Sequence, residues 1–127
     1  AAALVSGSRA VSPLRLNNQA LGGEDWLYNS ATGAGQRGVA GAAGLTTTGL
    51  LVRICGRVTD AGPNWLLVDD GSAVRVLCMA SAALGVPGLS AGSFVTVTGM
   101  SSLEERPEGP GRMVKLRSAA DVAVLIP

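Results

Sequence analysis

Along most of the chain after residue 48, apolar and polar residues alternate with the period of a β-strand. In residues 49–60 the apolar side chains share one face and the basic ones share the other; they are Val52, Ile54 and Val58 against Arg53 and Arg57. The same alternation predicts further strands over residues 65–69, 73–79, 93–100 and 112–118, with an extended closing segment over 122–126. The pattern therefore indicates an all-β protein.

Turn residues separate these strands at the intervals of a small barrel. Residues 61–64 and the pair Asp70-Gly71 are strong turn sequences, the second typical of a tight β-hairpin. Residues 80–92 form a longer connection before the fourth strand. A three-strand meander followed by such a connection matches an OB-type barrel better than a sandwich, which usually has more strands. We therefore predict a five-stranded OB-type β-barrel over residues 49–127.

The first part of the chain has a different character. Residues 1–48 lack a sustained helical or strand period, and residues 31–44 consist largely of Gly and Ala. We predict an irregular, extended N-terminal arm without a core of its own. Its only bulky groups lie in residues 14–16 and 26–28, which we expect to add a strand to the barrel or to pack over it.

Short motifs at the strand starts and turns carry a more specific signal. They are Gly49-Leu50-Leu51-Val52-Arg53, Gly56-Arg57-Val58-Thr59, Asp69-Asp70-Gly71-Ser72 and Val95-Thr96-Val97-Thr98-Gly99, preceded by the stretch Thr32-Gly33-Ala34-Gly35-Gln36-Arg37-Gly38-Val39. Together they resemble the OB-fold nucleic-acid-binding superfamily, in the form found as modules of exported bacterial surface proteins. The resemblance covers roughly the last hundred residues, and it implies the fold more strongly than any function.

The outward faces of the second and third predicted strands indicate a surface for self-association. A patch of several large apolar side chains is rarely left bare on a monomer. We assign to this surface Trp65, Leu67, Leu77 and Met79, together with Trp26 and Tyr28 of the arm. Either the arm of the same chain or a second copy must cover the patch. The leading hypothesis is an exported structural protein that associates with copies of itself, as an extracellular filament or surface-layer subunit.

An OB barrel also suggests an alternative, the binding of single-stranded nucleic acid or oligosaccharide on strands two and three. The residues available for it are Trp65, Arg53, Arg57 and Arg75. Only Trp65 is placed to stack a base, whereas single-strand sites use several aromatic platforms. The predicted loop over residues 101–111 also holds three glutamates, which repel phosphate. Nucleic acid is therefore the disfavoured ligand of the two, and solvated outward positions explain the arginines equally well.

The composition gives little support for catalysis. The chain has no histidine, so it lacks the usual general base near neutral pH and the commonest metal ligand. Two cysteines cannot complete a four-ligand zinc site, and residues 33–44 lack the Lys of a phosphate-binding loop. We predict no enzymatic activity, no cofactor and no metal. Ten basic residues against nine acidic ones leave little self-repulsion to oppose association.

The sequence also bears on cellular location. The alanine-rich start is what cleavage of a secretory signal leaves, so we expect an extracellular or cell-surface protein. No apolar run approaches the roughly 20 residues that a membrane helix requires, and we predict no membrane span.

Export raises the question of covalent modification. It favours a disulfide between Cys55 and Cys78, but strand parity places Cys55 outward and Cys78 inward. A bulge at Gly56 would be needed to bring the two thiols together, and the pairing stays open on the sequence alone. Export would also permit O-linked glycan, for which the candidate acceptors are Thr46, Thr47 and Thr48.

Overall fold

The structure, a computed structural model, describes residues 12–42, 44–72, 74–81 and 89–127. Its strands are β1 (Leu14–Arg15), β2 (Trp26–Asn29), β3 (Ala34–Gln36), β4 (Leu51–Ala61), β5 (Trp65–Asp69), β6 (Arg75–Met79), β7 (Phe94–Glu104), β8 (Gly111–Lys115) and β9 (Val122–Ile126). Two short 3-10 helices span Asn18–Ala20 and Ala119–Asp121. The predicted all-β fold is confirmed.

Five of these strands close into a barrel. Strands β4, β5 and β6 form an antiparallel meander, β6 pairs in parallel with β8, and β8 pairs antiparallel with β7. Seven residue pairs between β7 and β4, from Leu51 opposite Met100 to Arg57 opposite Phe94, complete the circle. The architecture is compatible with an OB-type fold. Strand β7 is longer than predicted, since it runs through Glu104 into the segment expected to be a loop.

The alternating apolar residues fill the barrel interior, as the pattern predicted. Val52 and Val58 have no exposed surface and Ile54 is 1% exposed, while the residues between them point outward. The strand irregularity lies at Thr59, between Val58 and Asp60, and not at Gly56. Gly56 serves a different purpose, because a Cβ there would overlap the carbonyl oxygen of Asp69 on the neighbouring strand.

Part of the arm belongs to this core. Leu21, which follows the first 3-10 helix, is 1% exposed and packs among the barrel valines. Asn18 is fully buried, and its amide nitrogen donates to the carbonyl oxygens of Val68 at 2.9 Å and Val74 at 2.6 Å. Its backbone N–H donates to the Asp70 carboxylate at 2.8 Å. Asn18 therefore fastens the arm to the hairpin between β5 and β6.

The side chains of Arg112 and Thr47 also hold the same segment. The Arg112 guanidinium on β8 donates to the backbone carbonyls of Leu21 and Gln19, each at 3.0 Å. The buried Thr47 hydroxyl accepts from the N–H of Gly22 at 3.0 Å and lies 2.9 Å from the Ser101 hydroxyl on β7. Leu21 and these hydrogen bonds together fix residues 17–23 against the barrel.

The two bulky segments of the arm behave differently. Leu14 and Arg15 form β1, which pairs in parallel with Val52 and Arg53 of β4, so the strand addition expected for residues 14–16 is confirmed. Strand β2 pairs instead with β3 in a separate two-stranded hairpin. Within it, Leu27 adopts a positive φ of 51°, at the point where the register of the hairpin shifts.

Truncation of Leu21 tests whether the arm shares the cooperative unit of the barrel. We expect Leu21→Ala to lower the free energy of unfolding by about 2–5 kcal/mol, because it removes a buried side chain and leaves a cavity. Leu45→Ala is the matched control, since Leu45 is 75% exposed and its truncation should change stability by less than about 0.5 kcal/mol. Urea unfolding followed by tryptophan fluorescence measures both, and equal midpoints would show that the arm is not part of the folding unit.

Candidate functional site

The predicted apolar surface on the barrel is assembled as two cross-strand pairs. Trp65 lies opposite Met79 and Leu67 lies opposite Leu77, all four on the outer side of β5 and β6. We call these four residues the barrel-face patch. Their chain neighbours, such as Leu66, point into the core and have no exposed surface. Parity therefore placed this patch correctly.

The barrel-face patch is only partly open to solvent. Met79 is 37% exposed, whereas the other three side chains are half-buried. The Trp65 indole lies against Gly62 in the turn between β4 and β5, where a Cβ would overlap the ring. Met113 of β8 pairs with Leu77 and extends the patch around the barrel. Because the Trp65 ring packs on the turn between β4 and β5, the patch offers less apolar area to a partner.

The other two residues predicted for self-association lie elsewhere. Trp26 and Tyr28 are on β2, in the hairpin that pairs with β3 and not with the barrel. Trp26 is 55% exposed and Leu27 is 79% exposed, while the Arg37 guanidinium lies 6.0 Å from the centre of the Tyr28 ring. The structure thus presents two separate apolar surfaces where the sequence suggested one.

A third apolar surface lies at β9. The sequence pattern predicted residues 122–126 only as an extended closing segment and not as a surface for association. Val124, Leu125 and Ile126 are 45%, 56% and 60% exposed, although they form a strand with β7. Val124 lies opposite Val95, a core residue with no exposed surface, so it shares the inward side of β7 and is nevertheless open. The sequence feature that indicates this surface is the continuous run of apolar residues in β9, which differs from the alternation in the barrel strands.

Strand β9 lies at a free edge. Within the residues that the structure describes, β9 pairs only with β7. It lies beside residues 94–97 of β7, whereas β8 pairs with residues 100–104. Its second edge therefore carries backbone N–H and C=O groups without a strand partner among these residues. A row of such groups is a template for another strand.

An ion pair fixes the start of β9. The Asp121 carboxylate, 7% exposed, accepts hydrogen bonds from the Arg117 backbone N–H at 2.7 Å and from its guanidinium at 2.8 and 3.1 Å. Burial by itself raises the pKa of the Asp121 carboxyl, but the hydrogen bonds from Arg117 outweigh it and leave that pKa below its ordinary value. The Arg117–Asp121 ion pair closes the short connection between β8 and β9 and so directs β9 along β7.

The residues predicted for ligand binding do not form one site. Arg53 donates to the Thr98 hydroxyl at 3.0 Å, and the Arg57 guanidinium lies over the Phe94 ring at 5.0 Å. Arg57 and Arg75 flank Asp69 in one cross-strand row. Trp65 lies four residues from Asp69 along β5, about 13 Å away at the usual strand rise. A base stacked on Trp65 would thus lie far from these arginines.

Arg75 belongs to a groove of about 590 Å³ at the end of the barrel where β6 and β8 begin. The groove lies between residues 38–42, which follow the hairpin, and the loop between β7 and β8. Its charged lining consists of Arg37, Arg75, Arg106 and Arg112 with Glu24, Asp25 and Glu108. Asp25 accepts from the Gly38 N–H at 2.6 Å, and burial lowers the pKa of Arg112. Four guanidinium groups and three carboxylates make this groove densely polar with a small net charge.

The predicted modification sites have contrasting environments. Cys55 is exposed on β4, and Cys78 is fully buried on β6, where burial raises the pKa of its thiol; both are free. The Thr47 hydroxyl is buried and hydrogen-bonded, and that of Thr46 accepts from Gln36 at 3.1 Å. Thr48 is the exposed member of the three, so O-linked glycan stays a prediction that fits Thr48 best.

Comparisons with known proteins add no identity. No protein-family model matches the chain, and no curated protein shows significant similarity to it. Across the described residues, no three side chains of His, Cys, Asp or Glu come together as a metal site would require. Over the same ranges, no helix has the length and apolarity to cross a membrane.

Removal of the Asp121 charge tests how much the Arg117–Asp121 ion pair stabilises the fold. We expect Asp121→Asn to lower the free energy of unfolding at pH 7 by about 1 kcal/mol, because Arg117 is half exposed and solvent screens part of the pair. The folded-state pKa of Asp121 lies below the unfolded value of about 3.9. Its stabilisation is therefore present above that value and is lost as the pH falls through the folded-state pKa.

The pH dependence supplies the control for this variant. Denaturant titrations of wild type and Asp121→Asn should differ at pH 7, begin to approach each other near the unfolded value of about 3.9, and meet below the folded-state pKa. Glu105→Gln, at an exposed loop position, should match wild type within about 0.5 kcal/mol throughout. A gap between wild type and Asp121→Asn that persists unchanged into acid would mean that the carboxylate charge is not its source.

Proposed function

We propose that the protein is an extracellular structural subunit that associates with copies of itself. The observation that carries this proposal is β9, an edge strand of five apolar residues with three large side chains 45–60% exposed. Soluble proteins usually protect an edge strand with charges, proline or a covering segment. Residues 122–126 include neither a charged residue nor proline. A surface of this kind gains free energy when another protein covers it.

Two more surfaces support assembly beyond a single contact. The barrel-face patch continues through Met113, and the β2–β3 hairpin exposes Trp26 and Leu27. Tryptophan is among the residues enriched at the centres of protein interfaces. The small net charge of the chain means that copies meet with little long-range repulsion.

The extracellular part of the proposal rests on the resemblance to OB modules of exported surface proteins. Its test is the accessibility of the native protein on intact cells. A membrane-impermeant amine reagent should label the exposed Lys115, the one lysine of the chain. Labelling that appears only after lysis would contradict an extracellular location and leave self-association untouched.

Charged substitutions on β9 test self-association directly. We expect wild type to sediment as larger species as its concentration rises, and Val124→Lys with Ile126→Lys to weaken association at least about tenfold, or ~1.4 kcal/mol. The reason is that lysines at a strand edge oppose pairing and would be desolvated in the contact. Sedimentation velocity over a wide concentration range measures this.

Leu45→Lys is the matched control for that experiment. Leu45 is equally apolar and 75% exposed, but it lies in the segment between β3 and β4. It should associate as wild type does. Wild type that stays monomeric at every concentration would refute the proposal, and equal weakening by Leu45→Lys would remove β9 as its cause.

The groove supports a second candidate function, oligosaccharide binding. Its guanidinium and carboxylate groups offer many hydrogen-bond donors and acceptors with a small net charge, which suits the hydroxyl groups of a sugar better than a phosphate backbone. Gly109 and Gly111 keep the groove open beside the guanidinium groups of Arg37 and Arg106, because a Cβ at either position would come within 3.1 Å or less of them.

Calorimetric titration distinguishes the possible ligands of the groove. We expect neutral oligosaccharides to bind with little dependence on salt, and Arg75→Gln to weaken this binding about tenfold. Arg57→Gln is the control, because Arg57 stacks on Phe94 and is not one of the residues that line the groove. Binding of a thymidine oligonucleotide alone, weakening steeply as salt rises, would indicate nucleic acid instead.

A further inference from the structure

We propose that β9 pairs antiparallel with β9 of a second copy, so that the sheets of two molecules join across a two-fold axis. This inference rests on the proposed function and specifies its first contact. The partner is a second copy of this chain, for reasons that come from β9 itself and from β1, the strand at the other end of the same described sheet.

The other strand at the end of the described sheet order is a poor mate for β9. Strand β1 has two residues, Leu14 and Arg15, against five in β9. A proline flanks each strand, Pro13 before β1 and Pro127 after β9, but Arg15 adds a charge to β1 and residues 122–126 carry none. Charge at an edge discourages further pairing. A head-to-tail ladder between β9 and β1 would therefore be short and would include a charged residue.

Strand β9 is complementary to itself. In an antiparallel pair each residue of one strand faces a residue of the other, so like charges would repel and apolar side chains cover one another. Residues 122–126 are all apolar. The strand can thus face its own copy without repulsion, and each strand shields the exposed side chains of the other.

The register follows from the length of the strand. The pairing that uses all five residues places Val124 on the axis, opposite Val124 of the partner subunit. Val124 is the 45% exposed residue on the inward side of β7. Covering it by its own copy would bury a side chain that its own barrel leaves open.

Two-fold pairing sets the order of assembly. A contact in which both molecules use the same surface closes on itself and produces a dimer, whereas growth requires a second, different contact. The barrel-face patch and the β2–β3 hairpin lie on other strands than β9 and stay available for it. The dimer is then the repeating unit of any larger assembly.

Single-cysteine cross-linking tests this pairing in the full chain. Cys55→Ser removes the exposed native thiol, and in that background Ala123, Val124 and Leu125 are replaced by Cys one at a time, with Leu45→Cys as control. Opposed residues of antiparallel strands have Cα atoms about 4.5–5.5 Å apart, within the range of a disulfide. We therefore expect oxidation to cross-link Val124→Cys at least about tenfold faster than Leu45→Cys, with Ala123→Cys and Leu125→Cys slower than Val124→Cys.

Sedimentation of the same samples separates this inference from the proposed function. A maximum at one of the three β9 positions supports antiparallel pairing. Rates equal to that of Leu45→Cys at all three positions, in samples that still sediment as oligomers, would overturn β9 pairing and leave self-association standing. Samples that sediment as monomers and fail to cross-link would overturn both.

Discussion

Closure of the barrel by the ladder between β4 and β7 is the constraint on which the other features depend. A closed barrel has no free strand edge, because every strand has a neighbour on each side. Any strand added outside the five recreates an edge. This chain adds two such strands, β1 on β4 and β9 on β7. The places where the protein can extend its sheet are therefore the two additions, and they differ in how well they are protected.

The arm and the barrel stabilise each other through unlike interactions. Leu21 contributes buried apolar surface, while Asn18 and Arg112 contribute hydrogen bonds to backbone carbonyls. The same segment leads into residues 38–42, which form one wall of the polar groove. The groove is therefore a joint product of the arm and the loop between β7 and β8, and neither segment would create it by itself.

Three apolar surfaces of different quality follow from this arrangement. The barrel-face patch is covered in part within its own chain, since Trp65 lies against Gly62. The hairpin presents Trp26 and Leu27 on a small two-stranded element. Strand β9 combines exposed side chains with unpaired backbone groups among the described residues, and hydrogen bonds add direction to its apolar contact. For this reason β9 is the surface on which the proposed assembly begins.

The sequence by itself determined the fold class, the approximate positions of the five barrel strands and the inward or outward direction of their core residues. Strand parity is a local property of the backbone, so it predicts the direction of a side chain from sequence alone. It correctly placed Val52 and Ile54 inward and Trp65 outward, and it placed Cys55 and Cys78 on opposite sides of the barrel wall. Tertiary structure decided the burial of Asn18 and Leu21, the assembly of the groove and the exposure of β9. These depend on contacts between residues as far apart as 50 to 93 positions in the chain. The alternation of apolar and polar residues along a strand does not say which distant segments come into contact. The surfaces that lack a partner are therefore visible only in the folded barrel.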